Sequence, residues 1–219
     1  MNAMKSLPVL LAALLAAPAL AHSPAAHPGS AAPRAASATA PAAPKLQAAL
    51  RALWHGHVVH ARDYAMAVHG KRHVAATRAA DAVVANAKQI AGAVGGFYGK
   101  AAGDQMLALL AGHWGAVKAL TDARAAHDEA AASKAMNALT SNAGEIAKFL
   151  AGANPNLPED TLRGLLLAHG AHHAQQIQQV MGGDMKGEAT TWKAMQAHMD
   201  TIADALAAAI AKQFPDKAA

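Results

Sequence analysis

The chain contains no cysteine. That excludes a disulfide framework, a thiolate metal site and the C-x-x-C-H attachment of covalent haem. Aromatic residues make up only 4%. No block of lysine and arginine with interleaved aromatics occurs, so the 19 basic residues against 14 acidic ones do not form a nucleic-acid surface. Beyond the N-terminus no apolar run approaches the ~20 residues of a membrane span, so no stable membrane insertion is expected of the mature chain. Glu-x-x-His pairs, the mark of a di-iron carboxylate bundle, are missing. Ser133 and Ser141 lack any nucleophile context, and no glycine-rich phosphate loop follows a strand. These absences make an enzyme the weaker class and a binding protein the stronger one.

The N-terminus reads as a secretory signal peptide over residues 1–21. Lys5 supplies the positive region, Leu7 to Leu15 the apolar region, and Ala19-Leu20-Ala21 an A-x-A cleavage site. Residues 22–44 are dominated by Ala, Pro, Ser and Gly and read as a disordered leader. Cleavage after Ala21 would expose His22 as a new terminus able to chelate copper, with His27 nearby. The expected destination is the periplasm or the exterior, and a single helical domain is expected over 45–215.

His57, His113 and His169 are spaced 56 residues apart, and 29 residues after each stands Asn86, Asn142 or His198. Whole segments superimpose at this period, NAKQIAG at 86–92 on NAGEIAK at 142–148 and HMDTIAD at 198–204. A fixed internal period dictates architecture. Here it predicts three tandem units, each carrying one histidine-centred pair.

The apolar spacing within each unit is helical. Leu50, Leu53, Trp54, His57, Ala61, Tyr64 and Val68 form one stripe; Leu139, Asn142, Ile146 and Phe149 form another. Breakers fall at Gly70, at His127-Asp128 and at Gly182-Gly183-Asp184, with longer connections expected at Gly95 to Gly103 and Asn154 to Pro158. The fold class is therefore all-α: an antiparallel up-and-down bundle of about six helices, built from three 56-residue hairpins. Residues equidistant from a turn stand at one height in antiparallel neighbours. The spacing thus predicts that His57, Asn86, His113, Asn142, His169 and His198 share one polar layer midway along the bundle.

A buried layer of this kind needs partners. One reading is a ring of hydrogen bonds that only fixes helix register, leaving a structural or partner-binding bundle whose protein partner the sequence does not identify. The other is a transition-metal site, because imidazoles from facing helices are how bundles hold metals. His57, His113, His169 and His198 form the primary candidate set, with His60, His172 and His173 completing or neighbouring it. His60 and His172 each lie three residues after a spaced histidine and so share its helix face. Asn86 and Asn142 are expected to orient the imidazoles from outside. Met181, Met185, Met195 and Met199 crowd the last hairpin, either as core or as thioether ligands. Mixed His and Met donors favour copper, with zinc or nickel as alternatives. Haem b held by two histidines, as in an electron carrier, is a further possibility.

Several stretches resemble a family of exported bacterial helical proteins for which no activity is established. They are L-W-x-x-H at 53–57, Phe97-Tyr98-Gly99 with Ala102-Gly103, and Asn142-Ala143-x-x-Ile146-Ala147-x-Phe149-Leu150. Ala153-Asn154-Pro155-Asn156 and Lys212-Gln213-Phe214-Pro215 complete the pattern. The resemblance implies an exported helical bundle and no particular chemistry. In such relatives an acidic residue often precedes each spaced histidine, whereas this chain has Gly56, Gly112 and Ala168 there.

Overall fold

The computed structural model describes residues 43–218. The signal peptide, nearly all of the leader, and His22 and His27 lie outside the described residues. The described part consists of helices only: α1 Pro44–His69, α2 His73–Tyr98, α3 Lys100–Ala125, α4 Glu129–Ala153, α5 Glu159–Met181, α6 Met185–Gln213 and the short α7 Pro215–Ala218. The helical region thus opens on Pro44, a residue well suited to a first helical position, and Ala43 is already buried.

Each long helix packs on its neighbours in sequence, and α6 returns to α1 to close the ring. In addition α1, α3 and α5 touch one another. The odd-numbered helices therefore meet along the centre, and α2, α4 and α6 fill the seams between them. Helix ends recur at the 56-residue spacing: α1, α3 and α5 stop at His69, Ala125 and Met181, while α2, α4 and α6 start at His73, Glu129 and Met185.

The turns differ from the expected breakers in two places. At the three hairpin tips a residue in the left-handed region stands at Lys71, His127 and Gly183, so Gly70 caps α1 without itself adopting positive φ. The connection expected over Gly95 to Gly103 shrinks to Gly99 alone, with φ 90°. Gly95 and Gly103 remain helical because α2 and α3 cross closely there. A Cβ on Gly103 would lie 3.0 Å from the Ala91 carbonyl oxygen and 3.1 Å from the Gly95 Cα.

Two apolar clusters fill the interior. One contains Leu50, Trp54, Met106, Leu110, Leu162, Leu166, Met195 and Met199; the other contains Tyr64, Val83, Val117, Leu120, Leu139, Ile177 and Val180. On α1, α3 and α5 the sequence passes from the first cluster to the second through His57, His113 and the pair His169/His173. The histidines therefore lie midway along the bundle, between the two halves of the core.

Candidate metal centre

Each of α1, α3 and α5 brings its spaced histidine to the central axis, and α5 adds a fourth one turn further on. The ring centroids of His57, His113 and His169 form a nearly equilateral triangle of 5.4, 5.7 and 5.4 Å. His173 lies 5.7 Å from His57, 5.8 Å from His113 and 4.5 Å from His169. Four rings at six similar separations make a tetrahedron. One nitrogen from each ring can be chosen so that all four lie within 4.8 Å of one another.

The four side chains are sealed from solvent, with relative exposures of 3, 5, 2 and 1% for His57, His113, His169 and His173. Their nitrogens are not satisfied by the protein. His57 Nε2, both nitrogens of His113, both of His169 and His173 Nε2 are buried without a hydrogen-bond partner. Burial also keeps the rings neutral. It pushes His57 down to about 3, with His113 and His60 adding repulsion, and His113 down to about 4, where Asn142 opposes the shift in part. His169 and His173 fall well below the ordinary histidine value, through burial first and the other histidines second.

Neutral imidazole is the form that binds metal. Four imidazoles held tetrahedrally at about 2.0–2.1 Å from one ion have ring centroids about 5.2 Å apart, inside the observed range of 4.5–5.8 Å. Closing on an ion asks each ring nitrogen to move inward by no more than about 1 Å. The residues present can therefore hold one metal ion.

The remaining candidates occupy other places. Asn86 donates from Nδ2 to the Leu53 carbonyl and Asn142 from Nδ2 to the Leu109 carbonyl, each at 3.0 Å. Their amides thus brace the backbone four residues before His57 and His113, and Asn142 also acts on the His113 ring. His198 makes the corresponding bond, Nε2 to the Leu165 carbonyl at 2.8 Å, and so stays on the α5–α6 seam outside the tetrahedron. A carbonyl can only accept, so His198 Nε2 carries the proton. His172 also lies outside, its ring 5.2 Å from that of His198. His60 is half-buried on α1, near enough to add repulsion to His57. Met195 and Met199 are fully buried among the apolar residues of the first cluster, whereas Met185 is exposed.

Of the three neighbouring candidates, His60, His172 and His173, only the last enters the cluster. The fourth member of the tetrahedron is His173, at i+4. Its signal in the sequence is that it continues the apolar stripe of α5, where the equivalent positions on α1 and α3 are the core residues Ala61 and Val117.

Fold and site together define a helical bundle with a closed, all-imidazole cluster at its centre. Compared with family models, with curated proteins and with solved structures, the chain matches none. Among the described residues no helix is long and apolar enough to cross a membrane.

Proposed function

We propose that this protein is an exported transition-metal-binding bundle that holds one ion between His57, His113, His169 and His173. The observation that carries this reading is the tetrahedron of buried rings whose nitrogens have no other partner. A register-fixing ring of hydrogen bonds would leave those nitrogens paired with one another. Two imidazoles in trans across a haem iron would stand about 6.4 Å apart by the same metal–nitrogen distances, farther than any pair in the cluster.

Copper is the favoured ion, specifically in its monovalent state. The influences on these four histidines are burial, one another, His60, His172, His198 and the neutral Asn142, with no carboxylate among them. The ion therefore brings its full charge into the interior. The desolvation penalty grows with the square of that charge, which weighs against a dication. Zinc and nickel are the competitors, since both accept imidazole. The signal peptide supports a periplasmic or secreted setting, and the resemblance to exported helical proteins points the same way.

The test is elemental analysis of protein purified without a histidine tag and exposed in turn to Cu(I), Zn(II) and Ni(II). One ion per chain is expected, retained through gel filtration and lost in His113→Ala. In His173→Val, which copies Val117, it is lost or weakened at least 100-fold. The proposal fails if no ion is retained, or if both variants hold the metal as the parent does; a Soret band in the visible spectrum would transfer the site to haem.

A further inference from the structure

The last hairpin carries histidine at three repeat positions where at least one of the other two hairpins has a different residue. His173 replaces Ala61 and Val117 and enters the buried tetrahedron. His172 stands where α1 has His60 and α3 has Ala116, while His198 stands where α2 and α4 have Asn86 and Asn142. Only on the α5–α6 seam are both outer positions histidine, and there the two rings meet at 5.2 Å and 60°.

The chemistry of this pair is that of a half-built metal site. Its ring separation matches the about 5.2 Å of two imidazoles on one tetrahedral ion. His198 donates Nε2–H to the Leu165 carbonyl, which leaves Nδ1 as its lone-pair nitrogen. A backbone carbonyl holding the far N–H of a histidine is the usual way a ligating ring is oriented. His172 Nδ1 is buried without a hydrogen-bond partner. Unlike the inner four, both side chains are only partly buried, so an arriving ion retains solvent as its other ligands.

The pair also adjoins the inner cluster. His172 immediately precedes His173 and follows His169 by three residues on the same helix. Electrostatically, His172 acts on His173 and His198 acts on His169. The four inner rings are sealed, so an ion reaches them only by passing between helices.

We propose that His172 and His198 form a second, surface metal site that captures an ion and hands it to the buried histidines through the α5–α6 seam. This inference rests on the metal-binding reading of the inner cluster. The pair acts on the rate of loading; the inner four set the final occupancy.

Two substitutions that copy the chain's own alternatives test it. His198→Asn installs the residue of α2 and α4 with its bond to the preceding helix, and His172→Ala installs that of α3. Cu(I) is offered as its complex with a coloured chelator, and transfer is followed by loss of colour in a stopped-flow instrument. Both variants, and the double variant, are expected to reach the parent's one ion per chain with the parent's thermal stability, at least 10-fold more slowly. Parental transfer rates in all three would overturn the loading role and leave the inner site intact. Failure of the parent to take up any ion would overturn the inner site and the loading role together. Should a variant lose occupancy rather than rate, the pair belongs to the final site and the handover is refuted; circular dichroism of each variant separates this from misfolding.

Discussion

At the scale of single residues, a glycine and an amide fit closely together beside the cluster. The Leu53 carbonyl lies in the helical ladder of α1 and takes the Asn86 side chain as an additional donor. Gly56 makes room for it: a Cβ there would lie 2.9 Å from Asn86 Nδ2, and one on Gly112 would lie 3.2 Å from Asn142 Nδ2. Gly56→Ala should displace Asn86. The lost hydrogen bond and the stranded amide cost about 1–3 kcal/mol, offset by the roughly 1 kcal/mol better helix propensity of alanine. A net loss of about 1 kcal/mol in urea unfolding is expected, and a smaller one for Gly112→Ala, whose neighbour has more room. A Gly56→Ala variant as stable as the parent would show that the contact carries no weight. This fit accounts for the glycine that stands before His57 and before His113. Three of the four clustered histidines were legible from their spacing alone. Which residue came fourth was not, because equal height along a bundle does not say whether a side chain faces the axis or a seam. His198 sits on an outer helix and reaches only the seam, while His173, on a central helix, turns inward.

Among elements, the number and order of helices could be read from the apolar spacing, but their closure into a ring could not, since it depends on what fastens α6 to α1. Arg51 pairs with Asp204 through two hydrogen bonds of 2.7 and 2.6 Å, and His55 Nε2 lies 2.8 Å from Asp200 Oδ1. These contacts are exposed enough to be worth little. Deeper in the same interface Arg62 clasps Glu188 at 2.6 and 2.9 Å, and Gln176 of α5 donates to the same carboxylate at 2.9 Å. Glu188 is only 1% exposed, whereas Arg62 keeps a path to water and lies over the Trp192 ring. The two halves of this pair should therefore respond unequally. Arg62→Met strands a buried carboxylate and should cost about 3–5 kcal/mol. Glu188→Gln leaves an arginine that can turn outward and should cost less than half as much. Denaturant unfolding of both variants at pH 7 checks the ordering, and equal losses would refute it. The hairpin tips were harder to read than the interface. Lys71 and His127 adopt positive φ where glycine is preferred; the expected breakers included His127 and Gly183, while at the first tip the expected Gly70 falls one residue short of Lys71.

For the whole molecule, the inner histidines should make stability depend on pH and, on the proposed function, on metal. Their pKa values are depressed in the fold, to about 3 at His57 and about 4 at His113. Unfolded, they would titrate near 6.5. A group depressed in the fold contributes its full stability above the unfolded value and loses it as pH falls, because the unfolded chain then binds protons the folded one refuses. His169 and His173 shift in the same direction, so four groups act together. Glu188, held below the ordinary carboxylate value by its bond to Arg62, adds to the loss further down, below pH ~4.5. The metal-free bundle should therefore be stable at pH 7.5 and lose stability steeply between about pH 6.5 and 4, each group contributing up to about 1.4 kcal/mol per pH unit. Bound metal occupies the same lone pairs and stabilises by mass action, about 4 kcal/mol when free metal exceeds its dissociation constant 1,000-fold. Thermal melts with and without Cu(I) should then fall in parallel down to about pH 4, because the folded rings refuse protons until there, and converge only below it, where the proton displaces the ion. Replacing His173 with valine should flatten the acid limb of the metal-free curve while abolishing most of the metal-induced gain. A variant that kept both the acid sensitivity and the gain would show that the tetrahedron is not where proton and metal compete.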